Sequence, residues 1–396
     1  MKVVIMHNDL RVYWRRRLFF LHGFLKARHI DLFAVELFGK GSPYDFESFN
    51  KSQSWWECLF PEQSNTELTK HQIKDKVFAR LDEIDPDAVI GGSIVFYSGA
   101  LGLRWAKRNK KKFIMFDDAK PSWVKRNFVV QTIKNLITNQ ADGLWLPSVE
   151  YDEEYNKLYP KNKMQYLYGY DCIDNDLFKL GGDKRMDHHK IITVSRLVPK
   201  KNVKSLLEAW KFVEDNDNVY SLDILGDGPL ADELKAHKNQ LGLKRVNFLG
   251  AVANDDIPKF LFRADAFVCP SLYESWGLVV NEAMAAGLPV LLSDKINAAF
   301  TLLKDWENGY LFDPYEEEAL QQKLMDFIRL PVAVKKRMSE KSLELIGRMD
   351  FNYMGDELLR ALNHFKTTSY KKPSLLAQLV IDRWYGRYNT KEWDTV

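Results

Sequence analysis

The chain has 396 residues, 46% of them apolar and 28% charged. That composition belongs to a globular protein long enough for two or three domains, and it excludes a disordered chain, a collagen and a small disulfide scaffold. Its 57 basic and 54 acidic residues leave a net charge of +3, too balanced for a dedicated nucleic-acid binder. Three cysteines far apart (Cys58, Cys172, Cys269) fit a reducing compartment and no metal site, and no apolar run reaches the 18 residues of a membrane span.

In chain order, Val3–Met6 reads as a first strand, too short for the apolar centre of a signal peptide. Further strands are predicted at Asp31–Val35, Ala88–Ile90, Lys112–Phe116 and Gly143–Leu146, with helices such as Arg15–Ala27 and Val129–Asn139 between them. The alternation predicts a parallel sheet covered by helices on both faces. A linker is expected near Lys179-Leu180-Gly181-Gly182-Asp183, and the pattern restarts at Ile191-Ile192-Thr193-Val194. Strands then follow at Ser221–Leu225, Val246–Leu249, Ala266–Val268 and Pro289–Leu292, with helices at Val203–Glu214, Asp232–Gln240, Ile257–Arg263 and Leu278–Ala286. The expected architecture is two doubly wound α/β domains, 1–180 and 181–349, facing across a cleft that takes the ligand at the carboxyl ends of the strands.

Residues 350–396 break the pattern. One helix is expected through about His364, and another over Ser374–Tyr388 with Leu376, Leu379, Val380 and Trp384 on one stripe. The first expectation is that this stripe docks on the first domain; the second is a helix lying on a membrane surface.

The chemistry concentrates in Pro270–Val290. A buried strand stops at Pro270, Glu274 follows in a turn, Gly277 permits close backbone approach, and a helix starts near Leu278. The first N–H groups of a helix have no internal partner and receive phosphate well. Glu282 stands eight residues after Glu274, about 80° of rotation on a continuous helix, which would turn both carboxylates toward one ligand. Carboxylates are strong acceptors for sugar hydroxyls. A second segment, Val194-Ser195-Arg196-Leu197-Val198-Pro199-Lys200-Lys201-Asn202, puts Arg196 and Lys201 at the end of a strand, a fork and a point charge suited to a diphosphate. Asp85-Pro86-Asp87, an Asp-x-Asp pattern, reads as a turn before a strand and not as a metal site.

These residues together resemble glycosyltransferase family 4. The resemblance rests on Glu274-x7-Glu282 with Gly277-Leu278 inside and Ala286-Gly287-Leu288-Pro289-Val290 after. It also rests on Arg196-Leu197 with Lys201-Asn202, Leu225-Gly226-Asp227-Gly228-Pro229-Leu230, Phe248-Leu249-Gly250, Ala264–Ser271 and Asn308-Gly309-Tyr310-Leu311-Phe312. It covers about residues 169–330 and implies a GT-B fold of two Rossmann-like domains. It further implies a retaining transfer from a nucleotide diphosphate sugar, UDP- or GDP-linked, with no metal cofactor. By the same resemblance Arg196 and Lys201 hold the diphosphate, Glu282 the ribose, and Glu274 the donor sugar near the reacting carbon. Backbone N–H groups at Gly277 and Leu278 would meet the distal phosphate, and Val252 with Gly226 and Gly228 would border the base pocket. The implied acceptor is a glycan or lipid-linked saccharide, in surface polysaccharide or glycolipid synthesis, in the cytoplasm and peripheral at the inner face of a membrane. A nucleotide-sugar epimerase, a phosphorylase and a non-catalytic nucleotide-sugar binder are the competing expectations.

The first domain departs from the family pattern. The loop after the first strand, His7-Asn8-Asp9-Leu10-Arg11-Val12-Tyr13, has no glycine. Where many relatives carry a histidine, Lys112–Phe116 runs into Asp117-Asp118, so one of these acids is expected as the catalytic partner. Arg104, Lys107, Arg108, Lys110, Lys111 and Lys112 put six cations in nine positions, read as a solvated face with an anionic membrane or a lipid diphosphate as the alternative. The aromatic excess, including Trp55-Trp56, Trp384-Tyr385 and Trp393, is read as sugar stacking or interfacial seating.

Overall fold

The computed structural model describes residues 1–10, 13–41, 53–123, 127–160, 163–179, 184–316 and 318–386. Leu180 to Asp183 of the expected linker, Arg11-Val12, Tyr388 and Trp393 lie outside the described residues. The described residues form two units: Met1–Cys172 with the residues from Phe351 onward, and Ile173–Asp350. The passage between them after Cys172 falls upstream of position 180, and residues from Phe351 group with the first unit.

The first unit holds a seven-stranded sheet. Its strands are β1 (Lys2–His7), β2 (Asp31–Phe38), β3 (Trp56–Phe60), β4 (Ala88–Gly91), β5 (Lys112–Phe116), β6 (Gly143–Trp145) and β7 (Gln165–Leu167). They lie in the order β3-β2-β1-β4-β5-β6-β7, all parallel. Central strands of such a sheet are covered on both faces and must be apolar throughout. Val3, Val4, Ile5 and Met6 accordingly have no exposed surface.

Sequence reading names neither β3 nor β7, nor the helices Lys70–Ile84, Tyr97–Arg108 and Asp152–Leu158. Trp56 is 8% exposed within β3, so it packs in the sheet and does not await a sugar. The helix Lys70–Ile84 carries one apolar residue per turn (Ile73, Val77, Leu81, Ile84), a weak signal, but its capping box of Thr69 and Gln72 is legible. Asp85, at φ 47°, closes that helix, and Asp87 accepts from the Lys2 N–H at 2.8 Å, so this acidic pair is a turn. Trp105 and Trp145 are likewise packed in the core of this unit, as Trp210 and Trp276 are in the other.

The basic run is solvated only in part: Arg108 and Lys110 are exposed, and the other four cations are buried or half-buried. Arg104 and Lys107 are buried. Lys107 pairs with Asp142 at 2.8 Å, Lys111 with Asp85 at 2.7 Å, and Arg104 and Arg108 both reach Asp382. Lys112 donates to the Ser369 carbonyl and Tyr370 to that of Lys107, both at 2.8 Å. The run fastens the tail to the helix Tyr97–Arg108. The helix Phe351–Thr367 adds an apolar seam of Met354, Leu358, Ala361, Leu362 and Phe365, with Phe351 against Phe20.

The second helix of the tail, Leu375–Ile381, is shorter than expected and turned differently. It buries Ala377 and Ile381, while Leu376 and Leu379 of the expected docking stripe face solvent.

The second unit holds six strands: β8 (Lys190–Val194), β9 (Ser221–Leu225), β10 (Val246–Gly250), β11 (Ala266–Cys269), β12 (Val290–Ser293) and β13 (Gly309–Phe312). Their order is β10-β9-β8-β11-β12-β13, again all parallel. The amphipathic helix Val203–Asn216 places Leu206, Leu207, Trp210 and Val213 against β8 and β9 in one core.

Candidate functional site

In the second unit the expected residues gather at the carboxyl ends of the strands. β8 ends at Val194, and the chain turns through Ser195 and the exposed Arg196. Two glycines of the neighbouring turn after β9 permit this. A Cβ on Gly226 would stand 1.9 Å from the Ser195 carbonyl oxygen, and one on Gly228 would stand 2.6 Å from that of Leu197. No real side chain fits there. The two turns are tied by the Leu197 N–H donating to Asp227 at 2.9 Å and the Leu230 N–H to Leu197 at 3.1 Å. Gly226 in turn donates to Gly250 at the end of β10, two residues before the half-buried Val252.

Pro199–Lys201 forms one short 3-10 turn, closed by Asn202 in the left-handed region at φ 54°. Lys201 pairs directly with Glu274. Ser271 Oγ donates to the same carboxylate oxygen at 2.8 Å, and the Leu272 N–H donates to the Lys200 carbonyl, also at 2.8 Å. Lys200 was not singled out by the sequence reading, although it is plain in the Pro-Lys-Lys-Asn run. Burial lowers its ammonium pKa, Glu274 opposes that shift, and Lys201 and Arg196 add to it. Lys200 thus feels Glu274, Lys201 and Arg196 together, while Lys201 is the one paired with the carboxylate, a local excess of positive charge.

Glu274 does not ride on the helix that follows. It makes an isolated parallel bridge to Ile296, its N–H donates to Lys295 and its carbonyl accepts from Asn297. The rotation argument linking Glu274 to Glu282 thus fails, because the helix Leu278–Ala285 begins four residues later. Gly277, at φ 102°, makes the corner, and no side chain among the described residues caps the helix. Its opening N–H groups point a partial positive charge outward. Trp276, buried, anchors the corner by donating from Nε1 to Asn281 Oδ1 at 2.9 Å, and Asn297 Nδ2 donates to the Ser275 carbonyl at 2.8 Å. Glu282 lies on the second turn of the helix at 5% exposure.

Asp117 and Asp118 lie in the other unit, after β5. Asp117 accepts from the Ala119 N–H at 3.1 Å, as a turn acid does. Asp118 stands among carboxylates. Burial, then Asp171, then Asp117 push its carboxyl well above the usual range, with Arg17 opposing. Burial likewise pushes Asp171 up to about 7 against the pull of Arg17. Arg17 lies 3.6 Å from Asp171, donates from Nε to the Cys172 carbonyl at 2.8 Å, and is framed by the rings of Trp14 and Tyr170. Asp171, in the Gly169-Tyr170-Asp171 stretch that fits the family's hinge-side pattern, and Arg17, in the basic cluster Arg15-Arg16-Arg17, are not joined by sequence reading, since they are 154 positions apart. The glycine-free loop is held instead by side chains, His7 Nδ1 meeting the Asp9 carbonyl at 2.6 Å and Asn8 Oδ1 accepting from the Ser98 N–H.

Residues 176–344, all within the second unit, match the family model described as glycosyl transferases group 1. Among curated relatives, an uncharacterized glycosyltransferase of Methanocaldococcus jannaschii is 35% identical over 135 residues, 34% of each chain. The UDP-Gal:alpha-D-GlcNAc-diphosphoundecaprenol alpha-1,3-galactosyltransferase of Escherichia coli is 38% identical over 125 residues, 30% of this chain and 31% of its own. The phosphatidyl-myo-inositol mannosyltransferase of Mycobacterium leprae is 30% identical over 175 residues, 44% of this chain and 46% of its own. The chain thus spans 31% to 46% of the length of these relatives.

Solved structures extend the likeness to the fold of nearly the whole chain. Sucrose-phosphate synthase from Thermosynechococcus elongatus superposes with a TM-score of 0.72 at 16% identity, over 93% of this chain and all of its own. Anabaena HepE in complex with UDP gives 0.69 at 17%, over 92% of this chain and all of its own. The fold is GT-B, two Rossmann-like units.

Proposed function

We propose that the protein is a retaining glycosyltransferase of family 4. It moves a sugar from a UDP- or GDP-linked donor to a hydroxyl of a glycan or lipid-linked saccharide. The observation that carries this reading is the pairing of Lys201 with Glu274, with Lys200 and Arg196 close by, in the turns that precede a helix start without a side-chain cap at Gly277-Leu278. In the proposed reaction the bond from the sugar C1 to the diphosphate breaks and its electron pair leaves on the phosphate. The acceptor oxygen bonds to C1 on the same face and gives its proton to the departing phosphate oxygen. Arg196 and Lys201 meet the charge that develops on the leaving group, joined by the N–H groups of Leu278 and its neighbour, so this chain supplies the positive charge itself and needs no metal for it. Glu274 orients Lys201 and receives sugar hydroxyls, Glu282 receives the ribose, and Val252, Gly226 and Gly228 border the base. Of the two first-unit acids we assign Asp118 as the partner near the acceptor, because Asp117 is committed to its own turn. Among the relatives, the Escherichia coli enzyme is named for a diphosphoundecaprenol acceptor and the Mycobacterium leprae enzyme for a phosphatidylinositol one. These names support the lipid-linked acceptor class.

The test is a thermal-shift panel with UDP, GDP, ADP and their sugar conjugates. One nucleotide family should raise the melting temperature by mass action, and Glu282→Ala should abolish that rise. The anomer of the transferred sugar then reports retention; an inverted product refutes the family 4 mechanism.

A further inference from the structure

Among the tryptophans whose burial is described, Trp306 alone is exposed, at 61%. It stands in the turn between the helix Asn297–Leu302 and β13. Buried groups fix that turn. The Lys304 N–H donates to Oδ1 of the fully buried Asn308 at 2.7 Å, and Asn308 Nδ2 donates to the Leu302 carbonyl at 3.1 Å. The Trp306 N–H donates to the Gly309 carbonyl at 2.9 Å, and the Leu311 N–H to Asp305 Oδ1 at 3.1 Å. Trp306 itself lies in the left-handed region at φ 66°. A residue with a Cβ adopts that conformation at a cost, and glycine or asparagine adopts it at less. Strain and an exposed indole thus meet at one rigidly held residue, and an outlier of this kind points to function.

The ring is held as well as the backbone. The buried Tyr310 meets it edge to face, with centroids 4.8 Å apart and planes at 82°. Lys323, from the helix Ala319–Ile328, places Nζ 4.9 Å from the indole centroid and 5.5 Å from that of Tyr310. These contacts set the tilt of the indole and leave most of it open. Its sequence neighbours Lys304, Asp305 and Glu307 are exposed and carry charges of both signs. Lys341 lies 3.5 Å from Glu307. An apolar partner or the interior of a bilayer would strip water from these charges at a cost. A pyranose ring would not. Its C–H face is apolar and lies flat on an indole, and its hydroxyls, at the rim, donate to carboxylates and accept from an ammonium.

We propose that Trp306, with Lys304, Asp305 and Glu307 at its rim, is a glycan-binding platform on which a saccharide ring stacks. The turn precedes β13, so the platform stands at the amino end of this parallel sheet, whereas the cationic turns stand at the carboxyl ends. It is a second site, apart from the one described above. On an enzyme that extends a glycan, a second hold of this kind keeps the chain close between transfers. Stacking on Trp306 needs no nucleotide donor, so the inference does not depend on the transferase reading.

The test is titration of the full chain with maltotetraose, cellotetraose, chitotetraose and mannotetraose, read by saturation-transfer NMR. At least one should bind, and Trp306→Ala should weaken it by about tenfold or more, the loss of one aromatic stacking plane. Lys323→Met, which frees the ring, should weaken it by about threefold, the effect of one cation–π contact at an exposed site. Trp306→Gly should also lose binding, yet its melting temperature should not fall, because glycine relieves the strained φ. An earlier melt would mean that Trp306 serves to cover Tyr310, and would overturn the proposal. So would binding of none of the four saccharides, or unchanged binding by Trp306→Ala. A UDP- or GDP-induced thermal shift should survive in Trp306→Ala; its loss would put Trp306 in the donor site and overturn a separate platform. A wild-type dimer, seen by sedimentation velocity, that Trp306→Ala dissolves would give the indole to a second copy of the chain and refute the glycan as its occupant.

Discussion

The two units share one plan and end their strands differently. In the second unit the carboxyl ends of β8, β9 and β11 carry the turns with Arg196, Lys200, Lys201 and Glu274, an excess of positive charge. In the first unit the ends of β5 and β7 lead into Asp117, Asp118 and Asp171 around Arg17, an excess of carboxylates. The strands explain neither, because both sheets are parallel and apolar at the centre. Scaffold and chemistry are separable: burial sets the strands, and a few residues after each strand set the charge presented there. The family match lies wholly within the second unit, while the likeness of the first to solved structures is one of fold.

The sharpest way to break this contrast is to neutralise the cationic edge. Arg196→Ala and Lys201→Ala should each lower turnover by about 10²–10³, the effect of losing one donor to developing charge. Melting temperature should change little for the exposed Arg196, and steady-state kinetics with melting curves check both. On the acidic side Asp118→Asn should also lower turnover and remove an ionisation from the pH–rate profile, yet leave the nucleotide-induced thermal shift of the second unit intact. A lost nucleotide shift would mean that the two edges are not functionally distinct.

Gly226→Ala tests the scaffold beneath the cationic edge. Its Cβ would collide with the Ser195 carbonyl, so unfolding in urea should show a loss of about 3 kcal/mol. A glycine with open space beside it, Gly23, gives the control: Gly23→Ala, in the middle of the helix Tyr13–Lys26, should stabilise slightly.

The smallest expected effects are pH slopes of opposite sign. Asp171 is raised to about 7 in the folded protein, so between its unfolded value near 4 and 7 the folded state holds the extra proton. Stability from this group therefore falls as pH rises through that window, and Asp171→Asn should flatten the fall. In the second unit burial lowers Lys184 to about 7 while its ammonium donates to the Leu261 and Phe262 carbonyls. There the unfolded state holds the extra proton between 7 and the ordinary lysine value, so stability rises with pH. Lys184→Met should remove that rise, as melting curves at each pH would record.

Strand cores and the cationic turn were legible because their signals are local. β5 and β9 lie where apolar runs place them, and the Arg196-to-Asn202 turn is contiguous in sequence. What the amino-acid order determined alone is which residues are apolar, which turns need glycine, and where a strand must stop, since period and turn chemistry act within a few residues. Only the tertiary structure decided that Lys201 meets Glu274 across 73 positions and that Asp171 joins Asp118 and Arg17. It alone buried Arg104 and Lys107 of the basic run and turned Leu376 and Leu379 outward. Periodicity marks an apolar stripe, but not what covers it; that depends on which distant segment arrives there.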